Sequence, residues 1–341
     1  MDSVSLKQAK QIKSAVNDLW HLGTLPVLAL GTLSGVLGIY WDIAWHIDKG
    51  RDSFFTPPHN FIYSAMLIVL VMAVYTLIRD RRQSHLHFKL GSLRLQPGII
   101  IVALGAAITL FFAPADDLWH RLFGADITLW APMHLIGLLG LTLATLGGFI
   151  ATQIEADLNP EQKRLFQNLS IYFAIMFLAW CMLLLAEYEF GVPVFPMWVG
   201  IALLSALPSF ILFLIAKLRP FLYAATLTSL GFTLFRLLIA AWLIFSDSRL
   251  DWAGETRPAI PLLIVTGILA DWLVQRKVNW LLAGLILAVS SFLSNWLLVL
   301  TLGNGNWYLQ ALAWGLVGGL VLSVLLSRLA VASARALDLR S

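Results

Sequence analysis

Ten stretches of about twenty apolar residues run through this sequence, and no other feature restricts the fold as tightly. They cover roughly 24–45, 58–79, 97–117, 131–152, 168–187, 195–216, 220–245, 257–275, 278–301 and 307–328. Lipid offers no hydrogen-bond partner to the backbone, so a stretch of this length satisfies its peptide groups by coiling into a helix. The expected fold is all-α: a polytopic integral membrane helix bundle of about ten transmembrane helices. Charged residues make up only 12% of the chain, against roughly 25% for a soluble domain. Asp116 and Asp117 blur the end of the third run, and Arg236 and Asp271 interrupt the seventh and eighth.

Basic residues set the expected orientation. With the N-terminus in the cytoplasm, seventeen of the 23 lysines and arginines fall inside, which is the bias that the positive-inside rule requires. An even number of spans returns the C-terminus to the same side. Residues 1–13 lack the apolar core and cleavage site of a signal peptide and read as a short amphipathic lead-in. The net charge of +4 is spread over short loops, which argues against a nucleic-acid partner, and no glycine-rich nucleotide fingerprint is present. The single cysteine, Cys181, excludes an intrachain disulfide and reads as a packed thiol.

Chemistry concentrates in a repeat. Asp42 and His46 stand four apart, so a helix puts them on one face. His59 follows the break at Pro57 and Pro58, where a new helix can start. The pattern returns as Asp116, His120 and His134, with Trp45 matched by Trp119, Gly50 by Gly124, Asp52 by Asp126 and Pro57 by Pro132. Both copies run helix, loop, helix in the same direction, which makes them parallel repeats. The division expected is 1–155, carrying both motifs on four helices, and 156–341, a six-helix half of no assigned role.

Two imidazoles and one carboxylate form a metal-ligand set, and a cation would offset the negative charge that each cluster holds near the membrane. Copper, zinc and iron(II) all suit such donors. The competing reading is a carboxylate–histidine hydrogen-bond network, with a proton relay among its variants. Trp41, Trp45, Trp119 and Trp130 suit an interfacial aromatic belt or packing around the sites. His85 and His87 read as solvated loop residues and His21 as a helix–helix donor. Glu187 and Glu189 read as a solvated acidic loop, and Arg236 and Asp271 as an ion pair. Pro196, Pro208, Pro258, Pro261, Gly315, Gly318 and Gly319 mark kinks and close packing.

The stretch W-H-I-D-K-G-R-D-S-F-F-T-P-P-H resembles the copper-site segment of the C subunit of particulate methane and ammonia monooxygenases. That family carries an Asp, a His four later and a His thirteen after that, with R-D and F-T-P-x-H between them. The matching positions are Asp42, His46, Arg51, Asp52, Phe55, Thr56, Pro57 and His59. A second family site has an Asn in the methane branch, a His four later and a His fourteen after that. Asp116, His120 and His134 reproduce that spacing, with A-P-M-H for the family's A-P-x-H and Asp in place of Asn. The resemblance covers about residues 20–150.

It implies one or two copper sites and O2-dependent oxidation of a small apolar substrate. It further implies a prokaryotic inner-membrane location, additional subunits and a homo-oligomer. Two other function classes remain open at this point. One is a non-catalytic copper-handling protein or a subunit that places a metal for a partner. The other is a cation transporter with the triads as gates. The position of both triads, at the outer ends of their helices, argues against a transporter, because such proteins bind near the midplane.

Overall fold

The computed structural model describes residues 3–49, 54–79, 88–91, 93–124, 128–218, 221–246, 259–302 and 309–336. Side chains are described for 23–46, 54–79, 89–91, 95–124, 128–218, 221–243, 259–296 and 310–336. Arg51, Asp52, His85, His87, Asp126 and Pro258 lie outside the described residues, and so does the side chain of His21.

The chain is an all-α bundle. Its first four long helices are α1 (Ser3–Lys49), α2 (Pro57–Arg79), α3 (Pro97–Phe123) and α4 (Pro132–Leu158). Then come α5 (Lys163–Met182), the single-turn α6 (Ala186–Glu189), α7 (Met197–Leu218) and α8 (Ala224–Ser246). The last three are α9 (Ile264–Gln275), α10 (Trp280–Leu302) and α11 (Leu309–Ala336). A small antiparallel ribbon, Phe88–Leu90 on Leu93–Leu95, joins α2 to α3. Eight of the helical segments are long and apolar enough to cross a membrane, and α9 and α10 supply shorter apolar stretches.

Three boundaries differ from the sequence reading, each for a local reason. The lead-in is not separate: α1 is helical from Ser3 onward, since neither Gly nor Pro interrupts residues 3–22. Helix α3 runs past the expected end at 117 to Phe123. The acidic residues taken for its mouth are paired one turn ahead, Asp117 with Arg121 at 2.7 Å and Asp116 with His120 at 3.1 Å, which supports a further helical turn. The eighth run yields only the twelve residues of α9. Residues 259–263 are instead non-helical, with Ala259 N–H donating to the Glu189 carbonyl and Leu262 N–H to Asn295 Oδ1. Irregular backbone survives at such a place when protein groups satisfy it.

Helices in lipid gain little from burying apolar surface against each other, so close backbone approach and dispersion carry the packing. The seam between α3 and α4 shows this most clearly. Gly98 and Gly105 face Ala151, Gly140 and Ala144, while Gly147 faces Gly98 and Val102. A methyl at any of these three glycines would collide with the backbone opposite. Gly31 and Gly38 let α1 approach Val69 and Ile62 of α2, and Gly315 and Gly319 bring α11 against Ile201 and Ser205 of α7.

Helix α5 is the hub. It packs on α1 and α4 on one side and on α7 and α8 on the other. Its Phe166, Phe173, Trp180 and Met182 are fully buried, and Cys181 packs among them as a free thiol. The polar residues of the second half are used differently from the expectation. Arg236 does not meet Asp271; it pairs with Glu189 at 2.5 Å and lies over the Tyr40 ring at 4.3 Å. Asp271 instead accepts hydrogen bonds from the Ala225 and Thr226 N–H groups and the Thr226 hydroxyl at the start of α8. Glu187 and Glu189 are buried, not solvated. Both carboxylates have donors within reach, which offsets the cost of leaving water.

Candidate metal centre

Local structure assembles each triad from two helix ends. Asp42 and His46 lie on one face of the last turns of α1, and His59 enters from the first turn of α2. Two prolines open α2 at Pro57 and Pro58, positions where a missing N–H costs nothing. The Thr56 hydroxyl, buried before them, accepts the His59 backbone N–H at 3.4 Å. The second centre repeats the plan. Asp116 and His120 close α3, and His134 follows Pro132 in the first turn of α4.

The distances agree between the copies. His59 Nε2 is 3.1 Å from Asp42 Oδ1 and His46 Nε2 is 3.5 Å from it. His120 Nε2 and His134 Nε2 lie 3.1 and 3.4 Å from Asp116 Oδ1. Within each triad one atom from each residue lies within 4.8 Å of the others. The imidazole centroids are 5.8 Å apart in the first and 5.5 Å in the second. All six residues that the sequence singled out are thus brought together in two groups of three.

What the rings do on their far sides decides the chemistry. His59 Nδ1 is 3.3 Å from the Phe54 carbonyl, His120 Nδ1 3.3 Å from the Gly124 carbonyl, and His134 Nδ1 2.8 Å from the Thr128 carbonyl. A carbonyl only accepts, so each of these Nδ1 atoms carries the proton. In a neutral ring the Nε2 then presents a lone pair, and it does so toward a carboxylate oxygen. Lone pair faces lone pair unless a metal ion lies between them or a second proton makes the ring an imidazolium that donates to the carboxylate. Asp42 Oδ1 is buried and accepts no hydrogen bond of good geometry.

An ion bound at about 2.0–2.2 Å holds neighbouring ligand atoms about 3.3–3.6 Å apart. The observed nitrogen–oxygen separations of 3.1–3.5 Å lie close to that spacing. A histidine whose outer nitrogen is pinned by a carbonyl is the usual support for a metal ligand. The residues present therefore fit a metal ion, and the donor set of two nitrogens and one oxygen leaves positions open. It does not separate copper from zinc or iron(II).

Three supporting carbonyls were invisible in the sequence, since any residue supplies one. Gly124 had a signal, because a glycine recurs at the matched place. It adopts φ +93°, which only glycine takes readily, closing α3 and turning its carbonyl back on His120. Around the first centre, Tyr63 stacks between the rings of His59 and Phe54, and Trp41 packs on Trp45 and Phe61. Around the second, Trp119 packs on Phe123 and Trp130 on Phe195. Phe55, one of the matched positions, is exposed. Comparison with protein-family models, curated proteins and solved structures finds no match to this chain.

Proposed function

We propose that this chain is an integral membrane protein that binds two metal ions, copper in both triads, and uses them in the O2-dependent oxidation of a small apolar substrate. The observation that carries the reading is the duplicated triad: two sets of Asp, His and His with the same donor spacing, each holding its Nε2 lone pairs toward a shared carboxylate oxygen. The choice of copper and of oxygen chemistry comes from the resemblance to the monooxygenase C subunit. Loop charge favours an orientation with both sites at the outer face and both termini inside, and the resemblance favours a prokaryotic cytoplasmic membrane.

In this reading copper supplies the activation of O2, and the protein supplies the rest. Asp42 and Asp116 offset positive charge, and the carbonyls of Phe54, Gly124 and Thr128 hold three rings in the tautomer that leaves Nε2 free. Three protein ligands leave a position for an exogenous group. Trp41, Trp45, Phe61 and Tyr63 give the first centre an apolar rim, across which a small apolar molecule can arrive from the acyl phase.

A second reading is a copper-handling protein or a subunit that presents a metal to a partner chain. It is favoured by His46, whose side chain is 33% exposed, the most open of the six ligands. Arg236 and Asp271, the ionisable groups within the spans of the second half, are both engaged in structural contacts, which does not favour the transport reading.

Metal content by mass spectrometry on detergent-purified protein is the first test, wild type beside His46→Ala and His120→Ala. Copper near two per chain, falling by about one in each variant, is expected. Zinc or iron in the same places would keep the sites and remove the monooxygenase analogy. Copper-loaded protein with reductant and candidate alkanes or ammonia should then take up O2 faster than His46→Ala. Equal rates would leave the copper-handling reading.

A further inference from the structure

Glu187 belongs to the six-helix half, far in sequence from either motif, yet it touches the loop that builds the second centre. Its Oε1 accepts the Thr128 hydroxyl at 2.6 Å and the Leu129 N–H at 2.7 Å. Its Oε2 accepts the Val194 N–H at 3.3 Å, and its carbonyl accepts the Val192 N–H at 2.9 Å. Thr128 in turn receives the Trp130 N–H on its hydroxyl and the His134 Nδ1–H on its carbonyl. An unbroken chain of hydrogen bonds thus leads from Glu187 through Thr128 to the ring of His134.

We propose that Glu187 is the positioning residue of the second metal centre, acting through Thr128 to fix the orientation of the His134 imidazole. This rests on the metal-binding reading above. The physical case is one of geometry and charge. The loop after residue 127 has only one turn before α4 begins at Pro132, and no helix ladder holds its N–H groups. A buried carboxylate that accepts two donors of this loop, the Thr128 hydroxyl and the Leu129 N–H, takes the place of that ladder, and bonds to an ionised acceptor are about twice as strong as neutral ones. With Thr128 fixed, its carbonyl stays 2.8 Å from His134 Nδ1, and the ring can face Asp116. Released, the ring is free to turn about its side-chain torsions, and a bound metal would lose one of its two nitrogen ligands.

At the first centre, His59 is held by the Phe54 carbonyl of its own loop. The two centres should therefore respond differently to one substitution. This gives the second half of the chain a role at a metal site, supplied by a single residue of α6, the turn that follows the hub helix.

The test is copper titration of full-length protein in detergent, with the electron paramagnetic resonance spectrum of the bound Cu(II), in a His46→Ala background that leaves only the second centre. Glu187→Leu is expected to weaken that centre about tenfold or more and to change its spectrum. Glu187→Gln keeps an acceptor oxygen for Thr128 and should stay within about threefold of the parent. Thr128→Val removes the hydroxyl link alone and should shift the spectrum in the direction of Glu187→Leu, which covers the case in which the leucine variant does not fold. Asp271→Asn, which loosens the start of α8 and touches neither centre, should leave affinity and spectrum unchanged. Parental affinity and spectrum in Glu187→Leu or Thr128→Val would overturn the proposal, and so would an equal change in Asp271→Asn. Absence of copper from the otherwise unaltered protein would overturn the metal reading, and this inference with it.

Discussion

Arg236 of α8 and Glu189 of α6 form an ion pair of 2.5 Å with side chains 1% and 4% exposed, and the guanidinium lies over the ring of Tyr40. Tyr40 stands two residues before Asp42 on α1. The pair thus ties the helix that carries the first metal ligands to the second half of the chain. Two residues away on the same short turn, Glu187 holds the loop of the second centre. One acidic turn thus reaches α1 through Arg236 and the loop of the second centre through Glu187.

That arrangement makes an unequal prediction for single and double substitutions. Removing one partner strands a buried charge, so Arg236→Met and Glu189→Leu should each destabilise the folded protein by about 3–5 kcal/mol. Arg236→Met combined with Glu189→Leu should recover most of that loss, because no charge is left without a partner. Detergent-solubilised thermal unfolding of the four proteins checks it. Additive losses in the double variant would show that the pair does not act as a unit.

The α3–α4 seam predicts a sharp contrast between two glycines five residues apart or less. Gly140→Val puts a branched side chain against Thr109 and the Gly105 backbone and should prevent α3 and α4 from closing. Gly137→Ala meets nothing within 4 Å and should stabilise by up to about 1 kcal/mol through helix propensity. Melting temperature and retention of a monodisperse detergent peak are the measurements. A stable Gly140→Val protein would contradict the seam.

Asp271 caps the start of α8 from a neighbouring helix, satisfying two N–H groups that have no partner within α8 itself. Asp271→Ala should cost about 1–2 kcal/mol, while metal content stays that of the parent. Amide hydrogen exchange should rise first in residues 224–227. A protein with unchanged exchange there would show that the cap contributes nothing.

Metal retention should fall as the solution is acidified. The ligand form of histidine is the unprotonated ring nitrogen, so protons and metal compete for the same Nε2 lone pair, and lower pH favours the proton. Equilibrium dialysis of copper-loaded protein from neutral to mildly acidic buffer should show release from both centres, accompanied by proton uptake. Copper held equally at both ends of that range would mean that the imidazoles are not its ligands.

How far the sequence reached differs from element to element. The apolar runs located the eight long apolar helices and the shorter apolar stretches of α9 and α10, because bilayer thickness and unsatisfied backbone groups leave a chain of this composition few alternatives. They failed at ends, where pairing decides: Asp116 and Asp117 looked like a helix mouth, and their partners at His120 and Arg121 carry α3 onward. The six ligands were legible because spacing along a helix fixes which residues share a face. Their support was not. The Phe54, Gly124 and Thr128 carbonyls are backbone groups whose direction depends on turns, and Glu187 lies over fifty residues from the loop it holds.

The sequence by itself determined the class of fold, the helices and the two groups of Asp and His, since each follows from local periodicity and from the solvent the chain must meet. Tertiary structure alone decided the partners of the buried charges. Arg236 lies 35 residues from Asp271 and 47 from Glu189, and nothing along the chain favours one over the other. The choice was made by which helix end packs against α8, where a charge withdrawn from water takes the opposite charge that the packing brings within reach.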